Sequence, residues 1–347
     1  MTIRAWWRQG AFALSALLCQ SFTPMTDVQL LAGDTFRLPP VEATRGDGDF
    51  FLRSQSEGLV TDAAPCDVCA APCDACGIGN WWDNTELFLG ADAFASVGDS
   101  PAGGFGNNFG VVTGFNSGFA LGESKIRGQF GASYGAYDPK GRSLFGLENS
   151  ALEEQVFLTG GIYKRSDIEN SDRISWGVVY DGLITDNYGI LADELALGQF
   201  RGIFGYALNE CHEVGGWGTL HVNDDSSSPL ATLRAMNQAN AYWKQNWQYG
   251  ASTSVYVGAM DSADVGDWVL GVTGRAPLSE RVALYSGATY VTPSSATGAV
   301  GSVEAQWNVF TGLVYTPGGK SVSRTVSGQA GLPLLPVANN STFLITD

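Results

Sequence analysis

Between Asn237 and Arg275 the side-chain chemistry changes at every second residue through three successive segments. Gln238, Asn240, Tyr242, Lys244, Asn246 and Gln248 alternate with Ala239, Ala241, Trp243, Trp247 and Tyr249, and only Gln245 interrupts the apolar set. After a tight Gly250-Ala251 turn, Ser252, Ser254, Tyr256 and Gly258 alternate with Thr253, Val255, Val257 and Ala259. Past the polar loop Asp261 to Gly266, Asp267, Gly271, Thr273 and Arg275 alternate with Trp268, Leu270, Val272 and Ala276. A period of two is that of a strand. Each segment runs for about ten residues, the length a tilted strand needs to cross a bilayer, whereas strands of soluble sandwiches are nearer about five or six. Inside hydrocarbon every N–H and C=O needs a partner from the chain itself, and a closed antiparallel sheet supplies them all.

The same reading along the rest of the chain predicts strands over about Asn84 to Phe94, Phe109 to Leu121, Lys125 to Tyr137, Glu154 to Tyr163, Arg173 to Asp181 and Gln199 to Ala207. A second six cover Glu213 to Asn223, Asn237 to Tyr249, Ser252 to Met260, Asp267 to Arg275, Arg281 to Val291 and Val303 to Tyr315. The expected fold class is therefore all-β: a closed antiparallel up-and-down transmembrane β-barrel of about 12 strands, an even number as bacterial single-chain barrels require. Connections alternate in length. Long ones are expected at Val97 to Asn107, Asp138 to Ala151, Ile184 to Leu197, Asp224 to Ala235 and Pro293 to Gly301. Short ones fall at Gly122, Asn209 to His212, Gly250 and Pro277 to Glu280, with Lys164 to Asp172 longer than its class and Asp261 to Gly266 shorter. Long outer loops and short periplasmic turns put both ends of the barrel on the periplasmic side. A soluble secreted β-sandwich is the alternative fold, and it requires the aromatic faces to pack on a second sheet.

Flanking segments read differently. Arg4 and Arg8 precede the apolar run Ala11 to Leu18, the outline of a secretory signal and too short to span as a helix. Cys19 follows Leu18 where lipidation wants a small residue. The expected organisation is a signal peptide over 1–25, an irregular periplasmic spacer over 26–83, the barrel over 84–316 and a C-terminal tail over 317–347. The last strand, WNVFTGLVY, ends on aromatic Tyr315 like the terminal strands that barrel-assembly machinery reads, yet it is not the end of the chain. Prolines in GLPLLPVANNSTFLITD argue against another membrane strand there. The sequence leaves two places for this tail, the periplasm or the lumen.

Within the spacer, CDVCAAPCDAC sets Cys66, Cys69, Cys73 and Cys76 as two C-x-x-C pairs. Each pair can present two thiolates to a tetrahedral ion, while an oxidising compartment favours disulfides; both readings stand. Cys211, beside His212 in a short connection, is an odd cysteine on the same predicted side and a candidate cross-link or shared ligand.

Alternation sorts the barrel into two faces. One collects Glu86, Asp92, Lys125, Arg127, Gln129, Arg173, Asp181, Gln199, Arg201, Glu213, His221, Lys244, Asp267, Arg275, Arg281 and Glu304; the other collects Leu87, Leu89, Phe130, Tyr134, Trp176, Phe200, Phe204, Trp243, Trp268, Leu284 and Trp307. The first is assigned to a polar lumen and the second to outer-membrane lipid. The chain carries a formal net charge of −16, which excludes nucleic acid as a partner because no basic stripe exists to neutralise phosphates. That charge resides mainly in loops, spacer and tail, and the lumenal set is nearly balanced. Opposite charges then either pair across the interior as filling or leave a narrow mixed-charge channel for small polar solutes. Acidic loops with Asp186, Asp193, Glu194, Asp224 and Asp225 are solvated or divalent-cation sites. Catalysis is not expected: the chain has two histidines, and His221 points inward, away from the lipid-facing surface where a membrane hydrolase works. No cofactor is expected.

VVYDGLITDNYG, LGQFRGIFGYALNE after it, and the closing PVANNSTFLITD, together with the Gly-rich strands and cysteine-bearing spacer, make the chain resemble planctomycete outer-membrane barrel proteins of an uncharacterised domain family, over about Trp81 to Asp347. The resemblance implies a barrel and its location and carries no activity or catalytic residue.

Overall fold

The computed structural model describes residues 81–96, 107–122, 124–139, 142–144, 147–149, 152–189, 193–225, 232–247, 250–261, 266–293, 306–318 and 332–346. The signal-like segment, the spacer with Cys66, Cys69, Cys73 and Cys76, and Glu304 lie outside the described residues. In chain order the strands are β1 (Thr85–Ala95), β2 (Asn108–Ala120), β3 (Arg127–Tyr137), β4 (Arg142–Leu144), β5 (Leu147–Asn149), β6 (Glu153–Lys164), β7 (Ile174–Tyr188) and β8 (Asp193–Ala207). They continue with β9 (His212–Asp225), β10 (Leu233–Ala235), β11 (Asn237–Asn246), β12 (Ser252–Asp261), β13 (Trp268–Pro277), β14 (Val282–Val291), β15 (Trp307–Tyr315) and β16 (Ile345–Thr346).

β4 and β5 make a separate small hairpin. Of the others, β1–β3, β6–β9 and β11–β15 form a closed antiparallel barrel of twelve strands. Closure is explicit in the register: β15 runs along β1 from Leu87 opposite Tyr315 to Ala95 opposite Trp307. β9 pairs directly with β11, while β10 folds back onto the end of β9. No open edge is left in the wall, as a lipid-embedded sheet demands.

Alternation decides the faces. Leu89, Phe130, Phe200, Phe204, Trp268 and Leu313 all project outward and are exposed, so the aromatic face covers no second sheet among the described residues and the sandwich alternative falls. Phe200 sits in the middle of β8 at 50% exposure. Replacing it with arginine should destabilise the barrel by about 2–4 kcal/mol, the cost of a cation held against hydrocarbon at mid-depth. Denaturant unfolding in liposomes measures this, and a neutral result would contradict lipid contact at that face.

One connection differs from expectation. Ile184 to Leu197 was expected as a long loop, but β7 continues to Tyr188 and β8 begins at Asp193, with a register shift between Thr185 and Tyr188. The inward residues of this extension, Leu183, Leu195 and Leu197, are buried in one apolar cluster with Tyr188, Leu233 and Phe343. Its outer face carries polar residues such as Glu194, so the segment lacks the apolar outward row by which the spanning strands were recognised.

At the opposite end, the longer β6–β7 connection is a built turn. Asp167 accepts the backbone N–H of Asn170 and opens a 3-10 turn over Ile168–Asn170. Lys164 Nζ lies 2.7 Å from Asp172 Oδ2, and that hydrogen bond holds the Asp172 carboxyl below the usual carboxylate range.

Candidate functional site: a lumen occupied by the C-terminal segment

Fifteen residues of the tail, Leu332 to Thr346, lie inside the barrel and run its length. At the end bearing the short turns, Arg165 Nε donates to the Leu332 carbonyl at 2.9 Å, and the same guanidinium also bonds the Pro333 carbonyl. One step deeper, Asn116 Nδ2 and Gln129 Nε2 both donate to Leu335 O, at 2.8 and 3.0 Å, and Leu335 N–H donates back to Gln129 Oε1. Arg201 then reaches Pro336 O at 2.7 Å, and Ala338 N–H donates to Thr159 Oγ1 at 3.0 Å. Near the long-loop end, Gln199 and Gln238 donate to Thr342 O, Met236 N–H to Leu344 O, and Gln306 to Ile345 O. β16 finally pairs with β10, Arg234 opposite Thr346.

The sequence explains why this stretch does not join the wall. Pro333 and Pro336 have no N–H to give a ladder, but their carbonyls accept from wall side chains. Asn339 makes a local turn, with its Oδ1 accepting Ser341 N–H and its carbonyl accepting Phe343 N–H. The wall makes room in return. A Cβ on Gly131 would lie 2.6 Å from Val337 Cγ2, and one on Gly177 would lie 2.6 Å from Leu335 Cδ1, so both positions require glycine for the segment to pass.

Two kinds of contact hold it. Val337, Ala338, Phe343 and Ile345 are buried with Phe157, Leu183 and Leu195, and Leu344 with Met236, Val269 and Val291. Between these patches run buried polar links. Asp181, fully buried, accepts Thr159 Oγ1 at 2.7 Å and sits 2.9 Å from Arg201 Nε. Asp92 accepts from Tyr137 OH at 2.8 Å, Asn308 at 2.6 Å and Asn340 of the segment at 3.1 Å.

The turn-side half is less filled. A cavity of about 320 Å³ lies there beside the segment, bounded by the side chains of Glu86, Arg165, Glu213, Lys244, Arg275 and an aromatic group around Tyr256. Glu86 and Arg275 meet across β1 and β13 at 2.5 Å. Tyr242 OH donates to Glu213 at 2.5 Å, and Lys244 stands opposite Glu213 in the β9–β11 register.

Several residues assigned to the lumen are elsewhere. Lys125, Arg173, Arg281 and Asp267 are exposed at the two rims. Lys125 lies 3.8 Å from both Asp167 and Asp172 of the β6–β7 turn, and Arg173 donates to Leu208 O in the next turn. The reason is geometric: parity fixes a side only while the chain stays in the ladder, and these four stand just before β3, β7, β14 and β13 begin. Arg127, the first residue of β3, is half-buried at the turn side. His221 lies toward the long-loop end, its backbone N–H donating to Asn237 Oδ1 and its Nδ1 3.2 Å from the same oxygen. Ser252 and Ser254 border the turn-side cavity. Cys211 is exposed in the β8–β9 turn. Asp225, from the acidic loops, accepts Ala196 N–H. Arg165 was not among the sequence candidates, because it sits in a turn where alternation assigns no face.

A family model described as "Family of unknown function (DUF6666)" matches residues 84–345. No curated protein matches. Solved barrels do. The P. putida toluene transporter TodX matches at 7% identity and TM-score 0.39 over 67% of this chain and 90% of its own. Outer membrane phospholipase A from Escherichia coli matches at 9% identity and TM-score 0.40, over 66% and 95% respectively. The NanC porin matches at 8% identity and TM-score 0.39, over 66% and 98%.

Proposed function

We propose, for this chain that belongs to the family of unknown function DUF6666, that it is a bacterial outer-membrane barrel closed at rest by its own C-terminal segment, passing small polar solutes only when that segment leaves the lumen. Export by the signal-like N-terminus, insertion by the barrel-assembly machinery through the aromatic-ended β15, and a lipid-facing outer surface belong to the same reading. The observation that carries it is the path of Leu332 to Thr346, bonded to wall side chains from the turn-side mouth to the long-loop mouth. A polar inner wall built only as filling would satisfy its donors and acceptors within itself. Here Asn116, Gln129, Gln199, Arg201, Gln238 and Gln306 give hydrogen bonds to a segment that is not part of the wall. Catalysis forms no part of the reading, since His221 and the serines Ser252 and Ser254 belong to opposite halves of the barrel.

Planar-bilayer recording tests it. The full chain should insert and pass almost no current, and a chain ending at Gly331 should conduct steadily. Equal steady current from both would overturn closure by the segment. A silent truncated barrel that is still folded would make the protein a structural barrel of the envelope.

A further inference from the structure

We propose that the turn-side chamber is a binding site for a small aromatic carboxylate. It has the composition of a ligand site: a mostly apolar lining with a few polar groups that converge. Trp217 and Tyr256 meet edge to face at 5.3 Å, and Tyr285 packs on Phe310 at 4.9 Å. All four rings border the same cavity. At about 320 Å³ it is near the lower end of ligand pockets, of about 300–1,000 Å³, which selects a small body.

The polar groups favour a single negative charge. Arg201 is matched by Asp181 at 2.9 Å, and Asp92 is satisfied toward the long-loop half by Tyr137, Asn308 and Asn340. What remains at the turn side is Arg165, Lys244 and Arg275 against Glu86 and Glu213, an excess of one cation. Arg165 binds backbone carbonyls of Leu332 and Pro333, which carry no charge. Glu86 occupies one terminal nitrogen of Arg275, while Nε and Nη2 of that guanidinium are buried without a partner among the described residues. Lys244 likewise shows no hydrogen bond or ion pair among the described residues, although it borders the chamber. Buried donors left unsatisfied are unfavourable. A carboxylate offers acceptors to both cations, with planar geometry suited to guanidinium, and its ring fits the aromatic wall.

This inference holds whether or not the C-terminal segment ever leaves the lumen, so current recordings and binding measurements fail separately. The test is calorimetric titration of the full chain in detergent, its folded state checked by migration of the unheated barrel on a gel. Benzoate should saturate one site. Benzyl alcohol, the neutral analogue, should bind at least tenfold more weakly, as should inorganic phosphate, which has no apolar body. Lys244→Met and the more polar Lys244→Gln should each weaken benzoate about tenfold and leave benzyl alcohol unchanged. Absence of benzoate binding to the folded chain would overturn the proposal. So would phosphate binding as tightly as benzoate, or unchanged benzoate affinity in whichever Lys244 variant folds.

Discussion

Replacing Asp181 with alanine is expected to cost about 3–5 kcal/mol, the largest stability loss of any single polar substitution in the barrel, because it leaves Arg201 charged and buried without its partner. The carboxylate is fully buried and receives Thr159, Gln199 and Arg201 together. Thr159 and Arg201 in turn hold Ala338 and Pro336 of the C-terminal segment, so the loss should appear twice. Denaturant unfolding should show the lower stability, and bilayer recordings should show current where the unaltered chain shows almost none. The double replacement Asp181→Leu with Arg201→Met removes both charges at once. It should recover most of the barrel's stability, as replacement of buried ion pairs by apolar residues often does, and still leave the segment weakly held. If Asp181→Ala alone were neutral, the buried pair would not be the link between wall and segment.

Phe343→Ala is the second large effect. Phe343 is 2% exposed, with its ring 6.0 Å from that of Phe157, inside the cluster that also contains Leu183 and Ile345. Loss of a buried phenyl group costs about 3–5 kcal/mol once the cavity left behind is included. Since the residue belongs to the segment and not to the wall, the cost falls on docking of the segment. The barrel should unfold at nearly the same denaturant concentration, while liposome-embedded protein becomes cleavable between Leu332 and Thr346 and conducts in bursts. A large fall in barrel stability without added cleavage would mean that the segment and wall form one cooperative unit.

Much of the wall is legible in the sequence because lipid imposes a strict condition on it. Trp243, Val255, Val257, Trp268 and Leu270 fall on one parity through three successive strands and all are exposed outward. Glu86, Glu213, Lys244 and Arg275 follow from the same rule, and the structure brings them round one chamber. Arg165 does not follow, although it both borders that chamber and holds Leu332. Nor does the position of Lys125, which alternation carries into the lumen and the β6–β7 turn draws to the rim. Both residues lie beyond the hydrogen-bonded ladder, where no pleat fixes the direction of a side chain.

By itself, then, the sequence determined that the strands exist, that they close into a barrel and which side of each faces outward, since a wrong choice exposes unpaired backbone or charge to hydrocarbon. Only the tertiary structure decided what fills the interior. Inward glutamine, asparagine and arginine are equally well satisfied by water and by the carbonyls of a threaded peptide, so their alternation is the same in an open lumen and a closed one. The choice is made by contacts over very long sequence separations, such as Asn116 with Leu335 and Asp92 with Asn340, which no local period records.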